Sequence, residues 1–375
     1  MSIKKTSKYL PFTICDKYFV AETIMVKYIL KRIGLMFLTL VIIMTLCLIF
    51  VRLLPIPPVS YAPGVDIELQ YKALVRQGYL VAVEDPDGTY APESELEYAS
   101  PDGVTKYYKA PVMQAVGIFW KNVLTSWDWG EGTVMYKGQG SIWNVLLEKL
   151  PYTVLVNLYS FIFAVPLGLL LGIYAALRKN KWQDHVISTL VMVFVSVPSY
   201  VYAFLVQYLF CYKLGWFPLT SYTLEKAGGF FTAKMFWSLI PAIMSLSFGS
   251  IAGFTRYTRA ELSEVLTGDY ILLARTKGLT RGQAISRHAL RNAMVVIFPM
   301  ILGEFIGIIG GSLIIENMFG IPGVGSLYIE SINRRDYNYF MGLTFFYTLI
   351  GLLSGIVIDL SYGLIDPRIR MGSEK

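Results

Sequence analysis

Residues 33–54 read IGLMFLTLVIIMTLCLIFVRLL, an apolar run whose one charge, Arg52, comes near its end. Crossing ~30 Å of hydrocarbon takes about 20 apolar residues in a helix, so this stretch is long enough to span a bilayer. Lys27, Lys31 and Arg32 precede it and Ser60-Tyr61-Ala62 faintly resembles a cleavage site. A secretory signal core is roughly 7–15 residues, so the run reads as an uncleaved anchor. Five more runs of similar size follow, at residues 152–177, 186–214, 236–254, 293–315 and 340–365. Lipid offers the backbone no hydrogen-bond partners, so each is expected to be a helix. The fold class expected is therefore an all-α polytopic membrane protein of six spans.

Composition agrees. Of 375 residues, 55% are hydrophobic and 16% charged, against soluble averages of about 45–50% and about 25%, and mean hydropathy is +0.52. Long apolar blocks exclude disorder, collagen and coiled coil. The three cysteines are scattered, with Cys47 and Cys211 inside apolar runs, which excludes a disulfide scaffold and reads as small buried hydrophobes. With two histidines the chain offers no zinc-type spacing.

A net charge of +7 fits either a nucleic-acid partner or a membrane protein with a basic inner face. Position decides. Basic residues gather in the N-terminal arm (Lys4, Lys5, Lys8, Lys17, Lys27, Lys31, Arg32), after the second run (Arg178, Lys179, Lys181), and between the fourth and fifth (Arg256, Arg259, Arg275, Lys277, Arg281, Arg287, Arg291). Arg368 and Arg370 close the chain, whereas the segment after the first run carries Asp66, Glu68, Glu84, Asp85, Asp87, Glu93, Glu95, Glu97 and Asp102. Because cytoplasmic loops concentrate Lys and Arg, both termini are expected inside and no nucleic-acid partner is expected.

The expected organisation is a cytoplasmic arm (1–32), a first span (33–54), an external insertion (55–150), a five-span core (151–370) with a cytoplasmic loop at 256–292, and a short tail (371–375). Within the insertion, turn signals at Pro86-Asp87-Gly88 and Pro101-Asp102-Gly103 punctuate strand-like residues 79–84 and 104–108. A small α/β domain with a β-hairpin is expected, followed by a helical part over 111–124; a partly ordered loop is the alternative.

The loop at 256–292 is too long for a simple connection. Thr267 or Asp269 is placed to cap a short helix over 270–277, with Gly278 ending it in a left-handed conformation. Arg275 and Lys277 fall in its last turn, where the helix dipole favours cations. Tyr270, Leu273, Ala274 and Lys277 recur at helical spacing, so one side offers apolar contact. A capped helix tethered to two spans reads as a contact element, or as a helix lying on anionic membrane lipids.

At this point the residues resemble a known family. Asp269-Tyr270, Ala274-Arg275-Thr276-Lys277-Gly278-Leu279 and His288-Ala289-Leu290-Arg291-Asn292-Ala293 are similar to the cytoplasmic "EAA" loop of ABC importer permeases, in the form typical of the oligopeptide and dipeptide group. Arg52-Leu53-Leu54-Pro55, Leu150-Pro151-Tyr152-Thr153, Ala175-Ala176-Leu177-Arg178, Val197-Pro198-Ser199, Leu214-Gly215-Trp216-Phe217-Pro218, Gly320-Ile321-Pro322-Gly323-Val324-Gly325 and Asp366-Pro367-Arg368 also resemble that group. The chain departs from it at Ile56-Pro57-Pro58, where the group continues Leu-Pro with Gly-Asp-Pro, and in its enlarged external segment. The resemblance implies a bacterial plasma (inner) membrane permease, most simply for oligopeptides. It further implies a coupling helix carried by Asp269, Tyr270, Leu273, Ala274, Arg275, Lys277, Gly278 and Leu279. The implied partners are two ABC ATPase subunits that bind ATP and Mg, a second, related permease, an extracellular substrate-binding protein and the peptide cargo. The chain has no G-x-x-x-x-G-K-[ST] phosphate cradle of its own, so no cofactor and no catalytic residue are expected in it.

Charged residues inside spans are costly and face a bundle interior or a water path. Glu304 reads either as a wall of the translocation route or as a helix-to-helix hydrogen bond, and Asp359 as a partner for Arg368 or another nearby cation. Arg52 is expected to snorkel to the interface. Gly168 with Gly172, and Gly303 with Gly307 and Gly311, allow close helix approach. Pro166, Pro198 and Pro299 are expected to kink their spans. Trp120, Trp127, Trp129 and Trp143 read as an interfacial belt, with contact to a binding protein as the lesser reading. His185 and His288 read as ordinary interfacial histidines. Two rival functions remain: an ion-coupled secondary transporter relaying protons through Glu304 and Asp359, and a non-transporting scaffold.

Overall fold

The computed structural model describes residues 14–84, 96–101, 103–136 and 141–365, and side chains between residues 29 and 362 of these. Lys4, Lys5 and Lys8, the side chains of Lys17 and Lys27, and residues 85–95 and 102 lie outside the described residues, as do Asp366-Pro367-Arg368, Arg370 and residues 371–375.

Helix α1 (Ile14–Leu53) leads to α2 (Ile67–Arg76), strands β1 (Leu80–Glu84), β2 (Leu96–Ala99) and β3 (Thr105–Lys109), and α3 (Val112–Ser126). Then come α4 (Ile142–Leu177), α5 (Trp182–Ser196), α6 (Ser199–Val206) with a π-helical extension Gln207–Lys213, α7 (Leu224–Ala227) and α8 (Ala233–Val265). The remainder is α9 (Asp269–Thr276), α10 (Arg281–Ala284) with a π turn Ile285–Ala289, α11 (Leu290–Gly310), α12 (Leu313–Met318), α13 (Val324–Asn333) and α14 (Tyr337–Ile365).

Among the described residues, five helical stretches are long and apolar enough to span a membrane: Ile29–Leu53, Ile142–Leu177, Ala233–Val265, Arg281–Gly310 and Tyr337–Tyr362. The sixth expected span is broken. Residues 182–213 form two helices bent by 102°, because Pro198 has no N–H to continue the ladder and pushes Val197 into extended backbone (φ −88°, ψ 128°). Pro166 and Pro299, by contrast, lie inside unbroken helices. The fifth span ends at Gly310, short of residue 315, because Gly311 turns the chain at φ +65°. The second and fourth helices outrun their apolar cores, starting at Ile142 and ending at Val265.

Both strand-like stretches, 79–84 and 104–108, form strands, and they pair, β1 against β3 with Leu80 opposite Lys109. A third strand, β2, pairs with the other edge of β3, giving the antiparallel order β1-β3-β2. This unit shares a core with the bundle: Tyr71, Leu80, Tyr107 and Phe119 pack in one cluster with Met44 and Leu48 of α1, Ile142 of α4 and Tyr339 of α14. Arg52 does not snorkel. It is 5% exposed, donates to the Gln77 carbonyl at 2.9 Å and lies over the Tyr79 ring. The insertion packs around its cation and supplies one carbonyl acceptor and a π face in place of interface water. The tryptophans form a cluster: Trp127 stacks on Trp143, Trp129 meets both edge-on, and all three pack on Phe345 of α14, while Trp120 donates to Thr45.

Helices α4 and α8 make the most extensive helix pair. Their approach is set by Gly168 and Gly172, where an added Cβ would meet the Phe254 Cβ at 2.7 Å and the Thr258 Cβ at 2.5 Å. The second glycine series behaves otherwise: Gly303 faces Ile358, Gly307 has open space, and Gly311 abuts the Glu316 carboxylate. Gly172→Ala is expected to destabilise by about 2 kcal/mol through overpacking, lowering the thermal midpoint of the detergent-solubilised chain. An unchanged midpoint would show that α4 and α8 do not touch there.

Candidate functional site

The segment between α8 and α11 folds as a backed helix. Gly268 is the N-cap of α9, and neither Thr267 nor Asp269 caps it. The Thr267 hydroxyl donates backward to the Glu264 carbonyl instead, which leaves Gly268 to make the turn into α9. Asp269 in the first turn still complements the dipole, and Arg275 occupies the last turn. Lys277 is the C-cap, and Gly278 follows at φ +90° with open space around it.

The apolar face is split differently from the expected row. Ile271 and Ala274, each 7% exposed, turn inward, joining Ala176 of α4, Leu262 of α8, and Ala284, Ala289, Ala293 and Ile297 of the α10–α11 region in one cluster. Tyr270, Leu272 and Leu273 stay outward at 41%, 65% and 55% exposure. Ala274 therefore holds α9 to its own bundle and is closed to any other chain, whereas Leu272, absent from the expected set, is open. Arg275, Lys277 and Gly278 are exposed and Leu279 is half-buried. Behind α9, Thr280 and Gln283 form a capping box: the Thr280 hydroxyl accepts from the Gln283 N–H, and the Gln283 side chain accepts from the Thr280 N–H. That T-x-x-Q pattern was visible in the sequence. The face as a whole is a short helix, apolar outside, rimmed by the exposed Arg275, Lys277, Arg281 and Arg287, and backed by the cluster it shares with residues of α4, α8 and α11.

The intramembrane carboxylates do not form a relay. Glu304 accepts from Ser250, tying α11 to α8. Asp359 pairs with Arg32 at 3.0 Å, while its expected partner Arg368 lies outside the described residues. His185 and His288 are both exposed.

Three fully buried acids among the described residues escaped the sequence reading: Asp336, which accepts from the Val134 and Met135 N–H groups, Asp184 and Glu316. Asp184 is 0% exposed and grips Arg259 of α8 in a two-pronged pair, Nε to Oδ1 and Nη2 to Oδ2. It also accepts from the Asn180 N–H and the Ser188 hydroxyl. The signal was its place among basic residues just inside a span, where an unpaired acid is rare. Glu316 is likewise 0% exposed. Its carboxylate accepts from the Thr153 hydroxyl at 3.2 Å, the Gly325 N–H at 2.8 Å and the Ser312 N–H at 3.3 Å. It was missed because it lies one residue past the apolar run drawn over 293–315.

Burial pushes the Glu316 carboxyl from its ordinary 4.5 up to about 7, against the lowering by these hydrogen bonds. Between those values the folded chain holds more protons than the unfolded one, so stability falls as pH rises through that window. The thermal midpoint is expected to decline from about pH 5 to about pH 7, and Glu316→Gln to flatten that decline. Equal slopes in the two proteins would contradict the assignment.

Residues 168–371 match the family described as "Binding-protein-dependent transport system inner membrane component", and the chain belongs to it. It is thus a non-catalytic, multi-pass inner membrane permease subunit of the ABC importer type. Its relatives include the dipeptide transport system permease protein DppB of Bacillus subtilis (strain 168), 30% identical over 92% of this chain and 99% of that one. The oligopeptide transport system permease protein OppB of Haemophilus influenzae is 32% identical over 71% of this chain and 83% of that one. The glutathione transport system permease protein GsiC of Salmonella choleraesuis is 29% identical over 92% and 99% respectively. Family membership displaces the ion-coupled reading built on Glu304 and Asp359, and the scaffold reading with it.

Proposed function

We propose that this chain imports short peptides as one of two related permeases, and that α9 is the helix by which a partner ATPase drives it. The observation that carries the proposal is the division of α9 into an inward face, Ile271 and Ala274, buried in a cluster that includes residues of α4, α8 and α11, and an outward face, Tyr270, Leu272 and Leu273, left open. An outward apolar row on a rigidly backed helix transmits displacement: whatever grips it moves α4, α8 and α11 together. ATP and Mg belong to the ATPase partners. The names of the relatives, which specify dipeptide, oligopeptide and glutathione transport, support a peptide cargo.

The charge pattern supports the orientation. Arg275, Lys277, Arg281 and Arg287 surround α9, at the end of α8 opposite the acidic insertion, so the α9 end is cytoplasmic and the sheet external. An even number of spans then returns both termini to the cytoplasm. The sheet unit packs on α1 and α14, and its position at the end of the bundle away from α9 supports contact with the substrate-binding protein. Glu304, half-buried and held by Ser250, serves on the α8–α11 wall of the path as a tie between helices.

The test is purification in mild detergent from cells expressing the whole operon. Two ATPase subunits and a second permease are expected to accompany the chain, and deletion of residues 65–109 is expected to weaken binding-protein docking while leaving the ATPases bound. A chain that purifies without any ATPase would refute the proposal. Undiminished docking of the deletion variant would remove the role given to the sheet.

A further inference from the structure

After α11 the chain runs through a glycine-rich stretch. Gly311 reverses the chain at φ +65°, α12 forms one short turn of helix, Gly320 reverses it again at φ +60°, and α13 begins at Val324. Ile315, Phe319 and Ile321 drive inward, packing with Leu155 and Val156 of α4, Ala203 of α6 and Met235 and Leu239 of α8. This is the end of the bundle where α4 and α8 begin, opposite α9. The stretch is also stitched to the neighbouring loop. The Gln207 side chain donates to the Met318 and Leu219 carbonyls, both at 3.0 Å, and the Ser221 N–H donates to the Phe319 carbonyl at 2.8 Å.

At its centre is Glu316. Besides its three donors, its neighbour Thr153 accepts the Val324 N–H at 2.8 Å, so the α4 hydroxyl clasps both the acid and the start of α13. Three glycines make room: a Cβ at Gly311 or Gly323 would come within 2.3 Å of the carboxylate, and one at Gly325 within 2.9 Å. A buried acid with three glycines making room around it, crosslinking a twice-broken segment to a spanning helix through Thr153, costs folding energy that packing alone does not require. We infer that residues 311–325 are the outer closure of the translocation path, and that Glu316 is the positioning residue that holds this closure against α4 through Thr153. The inference rests on the importer reading, since a closure matters only where something passes.

The test uses the complete complex, both permeases, both ATPases and binding protein, in liposomes loaded with a labelled dipeptide. Glu316→Gln leaves the Ser312 N–H facing an amide N–H, and Gly323→Ala crowds the carboxylate. Each is expected to raise ATP-independent peptide efflux at least fivefold, while Thr153→Ser, which keeps the hydroxyl, stays near wild type. Because these variants risk failing to assemble, a second measurement uses Ile315→Cys in a complex whose permease lacks its native cysteines. A small membrane-impermeant thiol reagent is expected to label it at least fivefold faster in the vanadate-trapped, binding-protein-bound state than at rest. Assembled variants without leak, or a cysteine equally protected in both states of a complex that imports normally, would overturn the closure. Loss of import with no ATPase bound would instead refute the importer reading.

Discussion

Leu273→Glu is expected to cut peptide uptake at least tenfold while the chain inserts and folds normally. Leu273 is 55% exposed, so the carboxylate disturbs nothing within this chain. In the cleft of a partner it replaces an apolar contact worth about 1.5–3 kcal/mol with a buried charge, and a tenfold effect needs only about 1.4 kcal/mol. Leu272→Glu should act similarly. Ile271→Glu should differ in kind, unfolding the loop because that side chain sits in the cluster shared with Ala176 and Leu262. Gly278→Leu adds a backbone term: the site has space, but φ +90° costs an L-residue roughly 1–2 kcal/mol, loosening the exit from α9. Uptake assays paired with ATP hydrolysis by the reconstituted complex would separate these outcomes. Normal uptake in both outward variants would remove the docking role.

Asp184→Ala is expected to destabilise the chain by about 3 kcal/mol, the lower end for breaking a buried pair, because Arg259 keeps some access to solvent, with its side chain 31% exposed. The effect should be mechanical as well. A cavity of about 420 Å³ lies between α5 and α8, lined by Ile187, Val191, Met192 and Val195 on one side and Thr255 and Arg256 on the other. Apolar contact between the two helices is therefore thin there, and the ion pair fixes α5, the first half of the broken span, to the helix that runs into α9. The double variant Asp184→Ala/Arg259→Leu should lose less stability than the single one, since no unpaired cation remains. Thermal unfolding of the four proteins in detergent measures this. Additive losses would mean that the pair contributes no coupling.

Much of this molecule was legible beforehand because membranes simplify the code. Apolar length located every span, charge polarity predicted an orientation, and Gly278 marked the end of α9. The misses share one cause: apolar runs record what lipid touches, while helix ends are decided by local backbone chemistry. Val197-Pro198 split one run, Gly311 ended another early, and amphipathic residues 142–151 extended a third. Within α9, spacing could show that Tyr270, Leu273 and Ala274 share a side of a helix. It could not show that α4, α8 and α11 would claim Ile271 and Ala274 and leave Leu272 outward. Arg52 was misjudged and Asp184 passed over for a related reason. Their partners, Gln77 and Tyr79, and Arg259, are 25 to 75 residues distant, and pairing at that range belongs to the tertiary fold.

What touches α9 decides whether an ATPase drives this chain, and a density map of the purified complex with its nucleotide-hydrolysing subunits addresses that directly. Tyr270, Leu272 and Leu273 are expected within about 4.5 Å of apolar side chains of an ATPase subunit, with Ile271 and Ala274 still turned toward α4 and α8. A map in which α9 rests on lipid or in solvent, with no ATPase against it, would contradict the central claim.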